Sequence, residues 1–389
     1  MKRVLIFSLA YYPSNVSGAE VAIKEITDRI DPSDIEFHLI TLLFDPTAPR
    51  TERIGNVTVH RVGMGGAYLS KILFVPLAAI EARALNRRLH FDALWCMMTY
   101  MLFPLAFARV LGVRAPHILT LEDGDPYEKV FERWFIRPVA PLLDYGFRSA
   151  GAIHAISHYL ATWPARRGYR GKVVIIPNGA SIPPTQTYPE AELNALAEKV
   201  GKHPGEVFLI TVGRLVHQKA QDMVIRALPL LPANVRYLLV GEGGDREMLA
   251  ALASELGVAD RVLFVGQVDR SETSKYRKIS DIFVLPSRSE GQGISFLSTM
   301  AAGLPIVATQ VGGIADFLYD EKRNPEEAPT GWAVDVDAPE QIAEAVKDIL
   351  AHPEKARRAT ENARRMVTER YDWDIVAKDM RTRVFGAVI

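Results

Sequence analysis

The chain has almost no cysteine: Cys96 is the only one in 389 residues. That excludes an internal disulfide framework and a cysteine metal cluster, and it fits a reducing compartment. Cys96 itself reads as a small buried apolar side chain. An excess of one charge sign is missing too. Lys plus Arg and Asp plus Glu number 46 each, so no global field recruits nucleic acid or an anionic membrane. Binding charge must therefore be local, and nucleic acid is not an expected partner. No uninterrupted apolar run reaches the roughly 18 to 20 residues of a membrane span. The nearest stretch, Ala93 to Leu111, contains Pro104 and Arg109 and reads as a buried strand followed by a helix. The opening MKRVLIFSLAYYP has an apolar run of only about seven residues and no clear cleavage site, so it reads as a first strand. A cytoplasmic protein is expected. Internal repeats, heptads and low-complexity tails are absent as well.

What is present is ordinary globular composition, 48% hydrophobic and 24% charged, in a length that suits two domains of roughly 150 to 200 residues. Short β-branched runs alternate with longer amphipathic stretches: VLIFSLA, EFHLITLL, VTVHRV, DALWCM, HILTL, AGAIHAIS and KVVIIP. Such alternation predicts a parallel sheet covered on both faces, here over residues 1–178. Asn-Gly, Pro-Pro and Tyr-Pro pairs then mark 179–204 as a connection. The alternation restarts over 205–369 with EVFLITVG, VRYLLVG, RVLFVGQV, DIFVLPS, PIVAT and GWAV, and a closing helix is expected in 370–389. The fold class is α/β: two Rossmann-like, doubly wound halves, with a ligand expected beyond the carboxyl ends of the strands, in a cleft between them.

The chemistry-bearing residues follow strands. In YYPSNVSGAE, Gly18 opens a helix whose amides favour phosphate, though a plain strand-to-helix turn fits equally. In ITVGRLVHQKAQD, Arg214 and Lys219 could clamp a diphosphate, or be solvated surface charge. VGEGGDREML supplies a Gly-rich turn at Gly243 and an Asp245 able to cap the next helix. It lacks the dinucleotide glycine spacing, which argues against a nicotinamide cofactor. The backbone of Gly266 to Val268 could face a flat ligand. In SEGQGISFLST, Gly291, Gln292 and Gly293 open a helix that Gly303 and Pro305 end, and Glu290 can accept hydrogen bonds from sugar hydroxyls or simply stabilise the positive helix end. Asp123-Gly124-Asp125 and Asp335-Val336-Asp337 imitate a metal-binding D-x-D. His154, His158 and His217 lack ligand spacing.

In that order, GRLVHQKAQD, VGEGG, LFVGQV, SEGQGISFLSTMAAGLPIVAT and VGGIADFL, with NGAS at Asn178 to Ser181 and SGAE at Ser17 to Glu20, resemble the nucleotide-sugar-dependent glycosyltransferases of family 4 over nearly the whole chain. The resemblance implies the GT-B fold, with a nucleotide-sugar donor on the C-terminal domain and an acceptor on the N-terminal one. It also implies retention of configuration, no bound metal or other cofactor, and work on cell-envelope polysaccharide. Arg214 and Lys219 would hold the diphosphate, and Gly18, Gly213, Gly243, Val268, Gly291, Gln292, Gly293 and Ile294 would complete the donor site. Glu290 matches the first acid of the family's E-x7-E motif, expected to touch the donor sugar. The second acid, which usually binds the ribose, is Ser298 here, and its loss would weaken donor binding by on the order of 1 to 3 kcal/mol. LTLEDGDP replaces the family's Thr-x-His, placing Glu122 at the histidine position. Glu122 or Asp123 could orient an acceptor hydroxyl or only cap a turn. The closing helix, with Trp373, would cross back to the N-terminal domain.

The leading reading is a retaining glycosyltransferase moving a hexose to a saccharide or lipid-linked acceptor. Its rivals are a catalytically weak sugar-nucleotide-binding protein and, ranked lower, a nucleotide-sugar 2-epimerase. YLSKILFVPLAAI and YEKVFERWFIRPVAPLL mix bulky apolar residues with Lys71, Lys129, Arg133 and Arg137. Buried, these stretches are ordinary core; exposed, they would suit peripheral contact with a membrane face.

Overall fold

The structure, a computed structural model, describes residues 1–13, 16–180 and 188–389. The chain divides into two compact units, Met1–Gly179 with Trp373–Ile389, and Ala180–Asp372.

The first unit is built on eight strands: β1 (Lys2–Phe7), β2 (Ile35–Leu42), β3 (Thr51–Ile54), β4 (Val57–Val62), β5 (Ala93–Met97), β6 (His117–Leu121), β7 (Ala152–Ala155) and β8 (Val173–Ile175). Their order is β3-β4-β2-β1-β5-β6-β7-β8. All neighbours pair in parallel except β3, which runs antiparallel to β4. β3 is not among the expected strands: TERI lies at the sheet edge with alternate residues solvated, and it carries no apolar run.

Strand periodicity sends alternate residues to opposite faces. Leu5, Phe7, Leu94, Cys96, Leu119 and Leu121 join one core with the helices α2 (Tyr68–Leu89), α3 (Leu102–Val110) and α5 (Ala140–Arg148); the short α4 (Tyr127–Phe131) adds Tyr127 and Phe131. Cys96 is fully buried there, and burial pushes its thiol up, as an inert apolar residue requires. Across the sheet, α1 (Gly18–Thr27) lies beside the C-terminal helix Trp373–Asp379. Phe385 wedges edge-on against Trp95 and Phe37, with ring centroids 5.1 and 5.7 Å apart.

The second unit has strands β9 (Val207–Val212), β10 (Val235–Val240), β11 (Val262–Gly266), β12 (Ile282–Leu285), β13 (Ile306–Thr309) and β14 (Trp332–Val334), in the order β11-β10-β9-β12-β13-β14, all parallel. Apolar layers cover both faces. In the stretch read from sequence as a connection, the helix Glu190–Lys199 packs Leu193, Leu196, Ala197 and Val200 onto this unit's core, and Glu192 meets Lys275 at 2.5 Å.

Among the parallel strands, the chain switches its direction of strand addition at β1 and β5 in the first sheet, where the edge hairpin β3–β4 stands apart, and at β9 and β12 in the second. The crevice at such a switch point, beyond the carboxyl ends of the strands, is where open α/β sheets bind ligands.

Candidate functional site

In the second unit the loops after β9 and β12 meet at the switch point. Lys219 forms an ion pair with Glu290, and both side chains are largely buried. Arg288 ties the same loops from below: its guanidinium grips Asp222 bidentately at 3.0 and 2.7 Å and donates to the His217 carbonyl at 2.7 Å and to Asp337 at 2.6 Å. The backbone amide of Arg288 donates to the Gln218 carbonyl at 2.7 Å. A planar, fork-shaped donor suits this bridging task better than an ammonium would. Arg288 belongs to no motif named above, and its one signal in the sequence is a cation within the SRSEG loop.

The glycines explain how closely these loops approach. A Cβ on Gly243 would come within 2.1 Å of the Leu215 carbonyl oxygen, and one on Gly312 within 1.9 Å of the Glu290 carbonyl oxygen. Leu215 and Glu242 are bonded through their backbones at 3.0 Å, and the Gly313 amide donates to the Glu290 carbonyl at 3.2 Å. Gly213 differs: nothing lies within 4 Å of where its Cβ would stand. Arg214 is exposed beside it, and Gln221 anchors the Arg214 carbonyl at 2.8 Å. Gly291 and Gln292 are buried, Gly293 takes φ 92° as the residue before the helix Ile294–Ala302, and Ile294 opens that helix half-buried. Three and four residues apart lie Ser295, Ile294 and Ser298 on one helix face. The Ser295 hydroxyl donates to the Val212 carbonyl at 2.7 Å, so the half-buried Ser298 stands on the side of the helix that meets the end of β9. Val268 lies half-buried just past β11.

Gly18, Glu122 and Asp123 belong to the first unit. Gly18 is the first residue of α1, where Glu20 accepts bonds from the amide and hydroxyl of Ser17 at 2.6 and 2.5 Å. The helix start thus carries its own carboxylate, which competes with any other anion there. Glu122 and Asp123 follow β6 directly and are both buried. Asp123 accepts from the Thr99 hydroxyl at 2.9 Å and from its amide at 3.3 Å. Burial pushes the Asp123 carboxyl up to about 6, with Asp125 adding and the Thr99 bonds offsetting. Burial likewise pushes Glu122 up to about 8; the charges of Glu20 and Asp123 add, and the Asn178 amide offsets part. Apart from this Asn178 interaction, neither Glu122 oxygen has a hydrogen bond of ordinary geometry, so a buried and weakly satisfied acid stands at this strand end.

The metal-like motifs are otherwise engaged. Asp125 pairs with Lys129 at 2.8 Å, Asp335 with Arg323 at 2.9 Å and Asp337 with Arg288 at 2.6 Å. Among the described residues no group of three or more His, Cys, Asp or Glu could hold a metal ion. His154 is a core residue with its ring nitrogens 2.7 Å from the Ile176 carbonyl and 3.1 Å from the Thr120 hydroxyl, and burial pushes its pKa down to about 4. His158 is exposed, and His217 lies 3.3 Å from Arg288. Asp245 occupies the position before the helix Arg246–Glu255, but its side chain makes no capping bond; its amide donates to the Leu215 carbonyl at 3.1 Å instead. Ser181, the end of the NGAS motif, and Ser14 and Asn15 of YYPSNVSGAE lie outside the described residues.

Two family models match the chain: Glycosyl transferases group 1 over residues 194–366 and Glycosyl transferase 4-like domain over residues 17–179. The uncharacterized glycosyltransferase MJ1607 of Methanocaldococcus jannaschii is 27% identical over 97% of this chain and 96% of its own length. Among solved structures, sucrose-phosphate synthase from Thermosynechococcus elongatus superposes with a TM-score of 0.84 at 20% identity, covering 100% of both chains. Anabaena HepE in complex with UDP-glucose superposes with a TM-score of 0.79 at 19% identity, over 99% of this chain and 100% of its own.

Proposed function

This chain is a family-4-type glycosyltransferase of the GT-B fold, and from that premise we propose that it moves a hexose from a nucleoside diphosphate sugar to a hydroxyl of a saccharide or lipid-linked acceptor, with retention at the anomeric carbon. One observation carries the proposal. At the switch point of the second unit a cation, Lys219, and a carboxylate, Glu290, come together beside the amide end of the helix Ile294–Ala302.

In this reading Lys219 and Arg214 receive the diphosphate, whose negative charge grows as the glycosidic bond breaks. Helix-end amides aimed at that charge lower the barrier most when they are fixed in place beforehand. Glu290 accepts hydrogen bonds from the donor sugar, while Gly213, Gly243 and Val268 let the nucleotide approach backbone. Cationic side chains and amides do here what a metal would do elsewhere, so no cofactor is assigned. On the first unit, Glu122 and Asp123 orient the acceptor hydroxyl: a protonated Glu122 donates and an ionised Asp123 accepts, roles their raised pKa values support near neutrality. The near absence of cysteine supports action in the cytoplasm. UDP-glucose in the HepE complex supports a nucleoside diphosphate donor.

A panel of nucleoside diphosphate sugars, read by thermal shift and then by transfer with NMR of the product anomer, tests this. One donor should raise Tm and be consumed only with an acceptor. If no donor binds or reacts, the proposal falls; an inverted product removes retention, and interconversion of donors without acceptor makes the protein an epimerase.

A further inference from the structure

We propose that the outer surface of the α2–α3 layer of the first unit docks on an anionic lipid bilayer. The helix α2 buries Phe74, Ala78, Ala79, Ala82 and Leu85 against the sheet, as an amphipathic helix should. Its other side is the anomaly. Leu69, Ile72, Leu73, Leu77 and Ile80, at spacings of three and four, form a second apolar stripe that faces solvent, with Leu69 64% and Ile80 57% exposed. A surface helix of a water-surrounded protein carries polar residues there. The stripe continues onto the adjoining α3, where Phe107 and Val110, one turn apart, are exposed. Beyond α4, Trp134 is 83% exposed, with Phe135 edge-on to it at 5.7 Å. Single exposed apolar residues are common, but stripes of them on neighbouring elements mark a docking surface.

The charge says what docks. The chain as a whole is balanced, yet on α2 and α3 Lys71, Arg83, Arg87, Arg88 and Arg109 stand against one acid, Glu81. Lys71, Arg87 and Arg88 are exposed, and so is Arg137, close along the chain to Trp134. Protein–protein interfaces deplete lysine, whereas a bilayer surface takes aliphatic side chains below the headgroups, tryptophan at their level and cations against the phosphates. No helix of the described residues is long and apolar enough to cross a membrane, so the contact lies on the surface. The inference stands on these side chains alone and does not need the donor reading.

The full chain should co-sediment with vesicles containing phosphatidylglycerol, much less with pure phosphatidylcholine, and less again at high salt. Ile72→Asp with Ile80→Asp, both at exposed positions, should keep the thermal unfolding and donor binding of the wild type while losing about tenfold or more in vesicle affinity. Brominated lipids should quench Trp134, since Trp95, Trp163, Trp332 and Trp373 are all buried. Trp134→Phe should abolish that quenching. Wild-type protein left in the supernatant with anionic vesicles overturns the proposal, as does a double variant that binds like the wild type. A concentration-dependent dimer that the double variant dissolves, with vesicle binding unchanged, assigns the face to a second copy of the chain instead.

Discussion

Glu122 shows how burial fixes the sign of a pH effect. Its carboxyl rises from an ordinary 4.5 to about 8, chiefly because the ionised form is desolvated, so the fold favours the protonated state. The contribution to stability is full below pH 4.5, declines as pH rises, and is lost above about 8. Glu122→Gln, which cannot ionise, should flatten the fall in unfolding free energy across that window, measured by denaturant titration at several pH values. Parallel curves for the two proteins would show that Glu122 is not the group responsible. Ser298 makes the second case at this scale. Ser298→Glu restores a charged acceptor on the helix face that meets the end of β9, and we expect donor binding to tighten by on the order of 1 to 3 kcal/mol in titration calorimetry. Unchanged affinity would mean the ribose is held elsewhere. The motifs exposed Glu122, Glu290 and Ser298 in the sequence, but not that Lys219 and Glu290 pair, because residues so far apart in the chain meet only when β9 and β12 become sheet neighbours.

At the scale of elements, the strand-end loops separate packing from ligand access. Gly312 has φ 56° and no room for a Cβ beside the Glu290 carbonyl, so Gly312→Ala should cost about 2 kcal/mol or more of stability and displace the Glu290 loop. Gly213 has open space around its missing Cβ, and Gly213→Ala should leave stability within about 1 kcal/mol of wild type. If the nucleotide approaches that backbone, the same variant should lose donor affinity. Denaturant unfolding alongside donor titration checks both, and a Gly213→Ala protein that binds donor normally would move the nucleotide away from this loop. Runs such as VLIFSLA and EVFLITVG announced their strands by β-branched apolar character, whereas β3, polar and at an edge, had no such mark.

For the molecule as a whole, the end of the chain belongs to the first unit rather than the second. Trp373 is buried with its ring 2.6 Å from where a Gly179 Cβ would be, Arg381 binds both oxygens of Asp34, and Phe385 fills the space between Phe37 and Trp95. Phe385→Ala should therefore destabilise the first unit by about 3 to 5 kcal/mol while sparing the second. In hydrogen exchange, faster amide exchange should appear in β2 and β5 and not in β9 or β12. Equal loss in both sheets would contradict this assignment of the C-terminal segment.

By itself the sequence determined the alternation of strands and helices, the single cysteine that leaves no internal disulfide, and the ordered glycine and charge motifs, because these depend on composition and on neighbours a few residues apart. Which strands became central, and hence where the switch points fall, was decided only by tertiary structure. So were the Lys219–Glu290 and Arg288–Asp222 pairs, the buried state of Glu122 and Asp123, and the solvent exposure of one side of α2. Each depends on what the rest of the chain places opposite a residue, and burial, charge pairing and exposure are properties of that encounter rather than of the residue itself.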